Sequence, residues 1–373
     1  MIMQKNGVIT QEESKRITAL RFILIVLVIF IHNNGSEVDN TAFSGAIRLL
    51  FSEILARTAV PLFFFISGYL LFIKPRPYKE VLKRKAKTLL LPYLLWNGLV
   101  LFLFWVGQTA PYVSAFFTDE NNRIADYSLY QWVDAFLGLN YQGYPAAYQL
   151  WFIRDLILLT LLYPIGKKAV DWCPVITVTV LGVLWFMQWR LFFFSSEAAL
   201  FFFLGAYAVK YEVKVSSFDH ISIFDISLAY IGCVAVEWIQ VIWDGEFMVL
   251  HKLGILLGCV FWLRISGKLA APGKLYQGLA YLADFSFFVY AAHEPFLTML
   301  RKVWSSLLPL QNTAGQLVQY FGLVLIAGGG ALCAGILVRK LFPRIFGILT
   351  GGRSRTGVSG RLLPGRQSDK MKE

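Results

Sequence analysis

The stretch Arg21-Phe-Ile-Leu-Ile-Val-Leu-Val-Ile-Phe-Ile-His32 places an arginine and a histidine on either side of ten consecutive apolar residues. As an α-helix it is too apolar for a water-facing surface and reads as the core of a membrane span. Eleven steps make about three helical turns, so Arg21 and His32 share one face and stand about 16 Å apart along the axis. That is half of a hydrocarbon core ~30 Å thick. With Arg21 at one membrane surface, His32 lies well inside. An ionisable side chain at that depth is costly unless it faces a polar cavity, which makes His32 a functional candidate. The alternative reading is a histidine at the end of the span, bonded to a neighbouring helix.

The rest of the chain extends this pattern. It is 57% hydrophobic and 16% charged over 373 residues, with a mean hydropathy of +0.58. A soluble domain carries charge on about a quarter of its residues. The apolar residues come in long runs separated by short polar or basic pieces, which predicts an all-α, polytopic transmembrane bundle. The net charge of +12 does not point to nucleic acid, because the basic residues sit beside apolar runs, as at the cytoplasmic edge of a bilayer. Cys173, Cys233, Cys259 and Cys333 lie among apolar residues without metal-ligand spacing and read as packing residues rather than a disulfide framework. The first apolar run has a charged leader and no small-residue cleavage pattern after it, so no cleavable signal peptide is expected.

A polar leader over 1–16 precedes the transmembrane region of 17–340, and a basic tail over 341–373 is expected to be disordered beyond about Gly351. About ten spans are expected, near 17–36, 54–73, 88–107, 147–165, 174–190, 192–210, 221–243, 247–265, 276–298 and 315–338, with a tight turn at Gly166–Lys168. The segment 37–53 reads as a loop or a partly helical connection, and 108–146 as the longest segment outside the spans. With the N-terminus in the cytoplasm, the leader, the basic 74–87 stretch, Lys167, Lys168, Lys210, Lys214, Lys268, Lys274 and the tail all fall inside, which predicts that both termini are cytoplasmic.

Two more features carry potential chemistry. Arg84 and Lys87, at i,i+3 in the basic run before the third span, are expected on one helical face at a cavity mouth, where they suit a phosphate-bearing ligand. Simple topogenic charge accounts for the same residues. Ser286, Tyr290 and His293 follow i,i+4,i+7 spacing, so three polar groups line one stripe of an apolar helix. Such a stripe faces protein or water, and interhelical hydrogen bonding accounts for it equally well.

Taken together, these stretches resemble the acyltransferase 3 family of bacterial integral membrane acyltransferases. The resemblance rests on Arg-x10-His in the first span and Phe63-Phe-Phe-Ile-Ser67-Gly68-Tyr69-Leu-Leu in the second. It also rests on Arg84-x-x-Lys87 with Pro92-Tyr93, on Trp151-Phe-Ile-Arg154-Asp155-Leu, and on Ser286-Phe-Phe-Val-Tyr290-Ala-Ala-His293. It implies acyl transfer from a cytoplasmic acyl-CoA, acetyl-CoA by default, to a hydroxyl of a cell-surface polysaccharide or lipid-linked sugar at the inner membrane, with no metal. It implies His32 as general base or acyl-carrying nucleophile, and His293 as a second acid/base or acceptor-binding group. Arg21, Arg84 and Lys87 are the implied donor-phosphate ligands. Arg57 or Arg154 would stabilise an oxyanion or hold an acceptor phosphate, with Asp155 alternatively a structural partner of Arg154. Ser286, Tyr290 and Glu294 complete the substrate-binding set. The chain departs from the family where Lys87 replaces a second arginine, losing the bidentate fork, and where Asn33-Asn34-Gly35 follows His32 in place of an acidic residue.

Two other classes fit a polytopic chain with membrane-buried charge. A transporter or flippase would use the buried Arg, His, Asp, Glu197 and Glu237 as substrate or proton sites, but the halves of the chain show no convincing repeat. A polysaccharide polymerase or ligase would rely on a large outer loop, for which 108–146 is a modest candidate. A requirement for acyl-CoA separates both from the acyltransferase.

Overall fold

The structure is a computed structural model that describes residues 9–35, 41–111, 114, 123–139, 143–191, 194–243, 248–308 and 311–352. Helices dominate it. The strands among the described residues are β1 (Arg190–Leu191) and β2 (Phe194–Ser195), paired antiparallel.

Helix α1 (Gln11–His32) is the axis of the bundle. It starts in a capping box, Thr10 with Glu13, and ends against Asn33, whose N–H bonds the carbonyls of Ile29 and Phe30. Because α1 is apolar all round, it is buried on several sides, packing against α3 (Ala59–Phe72), α12 (Met248–Leu269), α13 (Lys274–Ala283), α14 (Ser286–Leu307) and α15 (Thr313–Leu341). Its N-terminal end is fixed by Arg16, which donates to both carboxylate oxygens of Asp219 at 2.9 and 2.5 Å and to Glu12. Tyr69 Oη donates to Glu13 Oε1 at 2.6 Å, tying α3 to the same turn.

The closest helix pair is α3 with α10 (Ser196–Lys210). A Cβ on Gly68 would stand 2.0 Å from the Phe202 carbonyl oxygen, and one on Gly205 would stand 2.3 Å from that of Phe65. The Ser67-Gly68 of the second-span motif is therefore a backbone contact surface, the small-residue packing expected between apolar helices.

Several expected boundaries shift. The helix of the second span begins at Ala42 and runs through a π segment (Leu50–Leu55) and a 3-10 turn (Ala56–Thr58) to Phe72, so much of the expected 37–53 loop is helical. The basic run before the third span is α4 (Tyr78–Lys85), continuous through a π segment (Ala86–Leu90) with α5 (Leu91–Thr109). The expected turn at Gly166–Lys168 is helical. The chain instead bends by 66° between α7 (Trp151–Leu161) and α8 (Tyr163–Trp172). Pro164, in the first turn of α8, brings no backbone N–H to continue α7. The expected ninth span is two helices, α13 and α14, broken at Asp284-Phe285, and α14 is itself non-helical at Glu294.

Among the described residues, five helical stretches suffice by length and composition to cross a membrane: Ala42–Phe72, Tyr78–Thr109, Ile223–Ile242 (α11), Met248–Leu269 and Thr313–Leu341. The bent α7–α8 pair makes a sixth if it counts as one span. That is fewer than the ten expected. Lys15, Arg16 and Arg21 put three charges into α1, and α9 (Pro174–Phe186) has 13 residues, about 20 Å and short of a full crossing. The chain continues past α15 into α16 (Pro343–Leu349), and the part of the tail expected to be disordered lies almost wholly outside the described residues. Cys233 and Cys259 are buried as expected, whereas Cys173 and Cys333 are exposed.

Candidate active site

Arg21, Ile25, Val28 and His32 follow i,i+4,i+7,i+11 spacing, and all four line one cavity of about 240 Å³. Opposite them stand Phe63, Ile66 and Leu70 of α3, Phe152 and Leu156 of α7, and Ser286, Phe287 and Tyr290 of α14. Lys85 and Asp284 share the Arg21 end. A second, wider basin of about 530 Å³ adjoins it, lined by Lys74, Arg76, Arg84 and Lys85. Leu70 and Lys85 border both spaces, so a basic vestibule leads into an apolar passage that ends on a histidine.

At that end the His32 ring lies 5.1 Å, centroid to centroid, from the rings of both His293 and Tyr148. His293 is fully buried. Its Nδ1 lies 2.7 Å from the Tyr290 carbonyl oxygen, so Nδ1 carries the proton and Nε2 presents a lone pair, which has no partner among the described residues. The cause of this arrangement lies in α14. Pro295 has no N–H to give the carbonyl of Ala291, and the residue before it, Glu294, leaves helical geometry at φ −112°, ψ 142°. The freed carbonyls of Ala291 and Glu294 both accept from Gln149 Nε2, at 3.1 and 2.9 Å. In return the Tyr290 hydroxyl donates to the Gln149 carbonyl at 2.5 Å. Tyr148 Oη donates to Glu294 Oε1 at 2.8 Å, and Thr298 donates to the same carboxylate. The turn Tyr148–Leu150 is thus clamped onto the break in α14, and it presents the Tyr148 ring edge-on to His32.

The structure therefore brings Arg21, His32, His293, Ser286, Tyr290 and Glu294 to one passage or to its His32 end, with Arg84 in the vestibule. Ser286 lines the passage, and its Oγ is buried without a partner among the described residues. Lys87 is exposed and outside both linings, and Lys85 faces inward instead. The expected shared face of Arg84 and Lys87 assumed α-helical spacing, but the chain becomes a π-helix at Ala86, which shifts the register. Arg154 and Asp155 form a buried ion pair at 2.8 Å. Arg154 also donates to the carbonyls of Leu137 and Gly143, and Asp155 accepts from the Ser195 N–H, so the pair joins three chain segments away from the passage. Arg57 pairs with Glu53 one turn before it. Sequence reading missed Tyr148, Gln149 and Lys85. The signal for Gln149 was Pro295 inside an apolar helix, since an unpaired carbonyl there needs a donor from elsewhere.

A family model for an acyltransferase domain matches residues 14–339, which include the whole lining of the passage and all of the vestibule's lining but Ile9. The chain belongs to the acyltransferase 3 family. This acyltransferase is also similar to the succinoglycan biosynthesis protein ExoH of Rhizobium meliloti, at 27% identity over 363 residues, covering 92% of this chain and 93% of that protein. No solved structure matches it. With its apolar helices, it is a multi-pass membrane acyltransferase. Among the described residues of the acyltransferase, no group of three His, Cys, Asp or Glu stands close enough to hold a metal ion.

Proposed function

We propose that the protein takes an acyl group, acetyl by default of the family resemblance, from cytoplasmic acyl-CoA and transfers it to a hydroxyl of a cell-surface polysaccharide or lipid-linked sugar. In this reading it lies in the inner membrane with about ten crossings, several made by short or broken helices, and with both termini in the cytoplasm. The observation that carries the reading is the passage: Arg21 and His32 face one apolar channel whose open end is a basic vestibule. Lys74, Arg76, Arg84 and Lys85, with Arg21, suit the phosphates of a coenzyme A donor, and Lys87 stands beside them as a further surface charge. The apolar walls suit the donor's thioester arm and exclude water from the acyl group.

In this mechanism His32 takes the proton of the acceptor hydroxyl as its oxygen attacks the thioester carbonyl. The C–O bond forms, the C–S bond breaks, and the proton passes from His32 to the departing thiolate. His293, held with its Nε2 lone pair inward, is the second acid/base group. Tyr148 and Glu294 position the two imidazoles, and Ser286 and Tyr290 bind the acyl arm. Arg57 is nearer the acceptor than the donor, whereas Arg154 and Asp155 serve the framework. The likeness to a succinoglycan biosynthesis protein supports a saccharide as acceptor.

The test is thiol release from acetyl-, succinyl- and longer acyl-CoAs by the protein in nanodiscs, supplied with a lipid-linked saccharide extract. Release that depends on the extract and disappears in His32→Ala supports the reading. Folded protein that releases no thiol from any donor favours a transporter.

A further inference from the structure

At the end of α1 away from the vestibule, two arginines close on the turn that follows His32, and the transfer chemistry uses neither. Arg48 is buried, and its Nη1 donates to the carbonyls of Asn33 at 3.4 Å, Asn34 at 3.5 Å and Gly35. Arg301 lies on α14, three residues beyond Thr298, which bonds Glu294, and so on the same helical face. Its Nη2 reaches the His32 carbonyl oxygen at 3.4 Å, and its Nη1 stands 1.8 Å from where a Cβ on Gly35 would be. The two guanidinium groups therefore meet at Gly35, three residues past the histidine whose ring faces His293 and Tyr148.

Arg48 is accounted for locally. The last carbonyls of a helix lack backbone donors and carry partial negative charge, which a guanidinium satisfies. Arg301 has no such account. Among the described residues its single hydrogen bond is the long one to His32, and its Nε is buried without a partner. Neither arginine belongs to an ion pair among the described residues. The neighbouring carboxylates are engaged elsewhere: Glu53 accepts from Arg57 and Asn34, and Glu294 from Tyr148 and Thr298. Two like charges held together away from bulk water repel, and the arrangement is costly until an anion joins them. The guanidinium fork matches the oxygens of a phosphate or a carboxylate. Arg301 is only partly buried, so such a group can reach it.

We infer that Arg301, with Arg48 behind it, binds an oxyanion of the acceptor, a phosphate or a carboxylate, and so brings the acceptor hydroxyl to His32. The acceptor is favoured over the donor because the donor's phosphates have their own basic vestibule at the other end of the passage. The inference rests on the acyltransferase reading for what happens to the hydroxyl, but not for whether the anion binds.

The test compares wild type with Arg301→Gln, Arg301→Lys and, as a charge control one residue away, Lys302→Gln, all full-length in nanodiscs. The probe is a radiolabelled lipid-linked saccharide extract from Rhizobium meliloti membranes. It is used untreated, after mild acid that removes the lipid phosphate, and after reduction of its carboxyl groups. Without donor, Arg301→Gln is expected to retain the untreated extract about tenfold less well than wild type, having lost roughly one charged hydrogen bond. Arg301→Lys should fall between the two, and Lys302→Gln should match wild type. One treatment should shrink the gap between wild type and Arg301→Gln to less than about twofold, and which one does so identifies the anion as phosphate or carboxylate. With donor added, the apparent KM for the untreated extract should rise in Arg301→Gln, while the KM for acetyl-CoA stays within about twofold. Equal retention by all four proteins overturns the site. So does a gap that survives both treatments combined, because Arg301 would then act through the fold. A KM that rises for succinyl-CoA alone moves the anion to the donor and overturns the acceptor assignment. Retention that falls as expected in a protein that consumes no acyl-CoA keeps the anion site and removes the acyltransferase reading.

Discussion

Gln149 donates through Nε2 to the carbonyl oxygen of Ala291, 142 residues away in sequence, at 3.1 Å. This is the carbonyl that Pro295 leaves without its backbone donor, and a second bond, to the Glu294 carbonyl, completes the repair. Gln149→Leu leaves both acceptors buried and unpaired, a cost of about 1–3 kcal/mol for each. Thermal unfolding of the detergent-solubilised variant is expected well below wild type, with loss of activity, because His293 lies in the same turn. Adding Pro295→Ala gives the Ala291 carbonyl a backbone N–H and should recover part of the loss. A double variant no better than the single one would count against this account of the break.

Gly205 and Gly68 let two backbones meet. A Cβ on Gly205 would stand 2.3 Å from the Phe65 carbonyl oxygen and 2.5 Å from the Tyr69 N, neither of which is a flexible side-chain end. Gly205→Val is expected to push α10 off α3, costing several kcal/mol by overpacking and lost contact, and to lower the yield of monodisperse protein in gel filtration. Gly232→Ala, with nothing within 4 Å of the added Cβ, should behave as wild type.

Arg16 donates to both oxygens of Asp219, and this bond holds the Asp219 carboxyl below the ordinary carboxylate range. The folded-state value lies below the unfolded one. The stabilisation is therefore complete above the unfolded value, near pH ~4, and is lost as pH falls through the lower folded value. Tryptophan-monitored unfolding temperatures between pH 7 and pH 3 should drop more steeply at the acid end for wild type than for Asp219→Asn, the two curves drawing together at the bottom. Parallel curves would show that the pair contributes nothing pH-dependent.

Ser286 Oγ is buried without a hydrogen-bond partner on the wall of the passage. Ser286→Ala therefore removes no protein contact, and stability should stay within about 1 kcal/mol of wild type or rise slightly. A raised KM for acyl-CoA at unchanged stability would place the hydroxyl against the donor. Unchanged kinetics would reduce Ser286 to a small residue that leaves room.

What the sequence determined by itself is whatever depends on local spacing in unbroken α-helix. Eleven residues fix Arg21 and His32 on one face wherever the helix goes, and the i,i+4,i+7 stripe does the same for Ser286, Tyr290 and His293. The apolar runs likewise fix an all-α membrane chain. Local spacing fails where the helix changes type: the π segment at Ala86–Leu90 takes Lys87 off the face it would share with Arg84, and α-helical arithmetic did not anticipate it. Only the tertiary structure decided what stands opposite His32. Tyr148, Gln149 and Glu294 meet there because a proline orphaned a carbonyl that a buried, low-dielectric site does not tolerate unpaired. Sequence reveals that such a vacancy exists but not which distant amide fills it, because any segment that packs against the break has the same chemistry to offer. The same holds for Arg154. Its charge inside an apolar run was legible, and its use as a strut between the Leu137, Gly143 and Asp155 positions depends on contacts made only when α7 finds its neighbours.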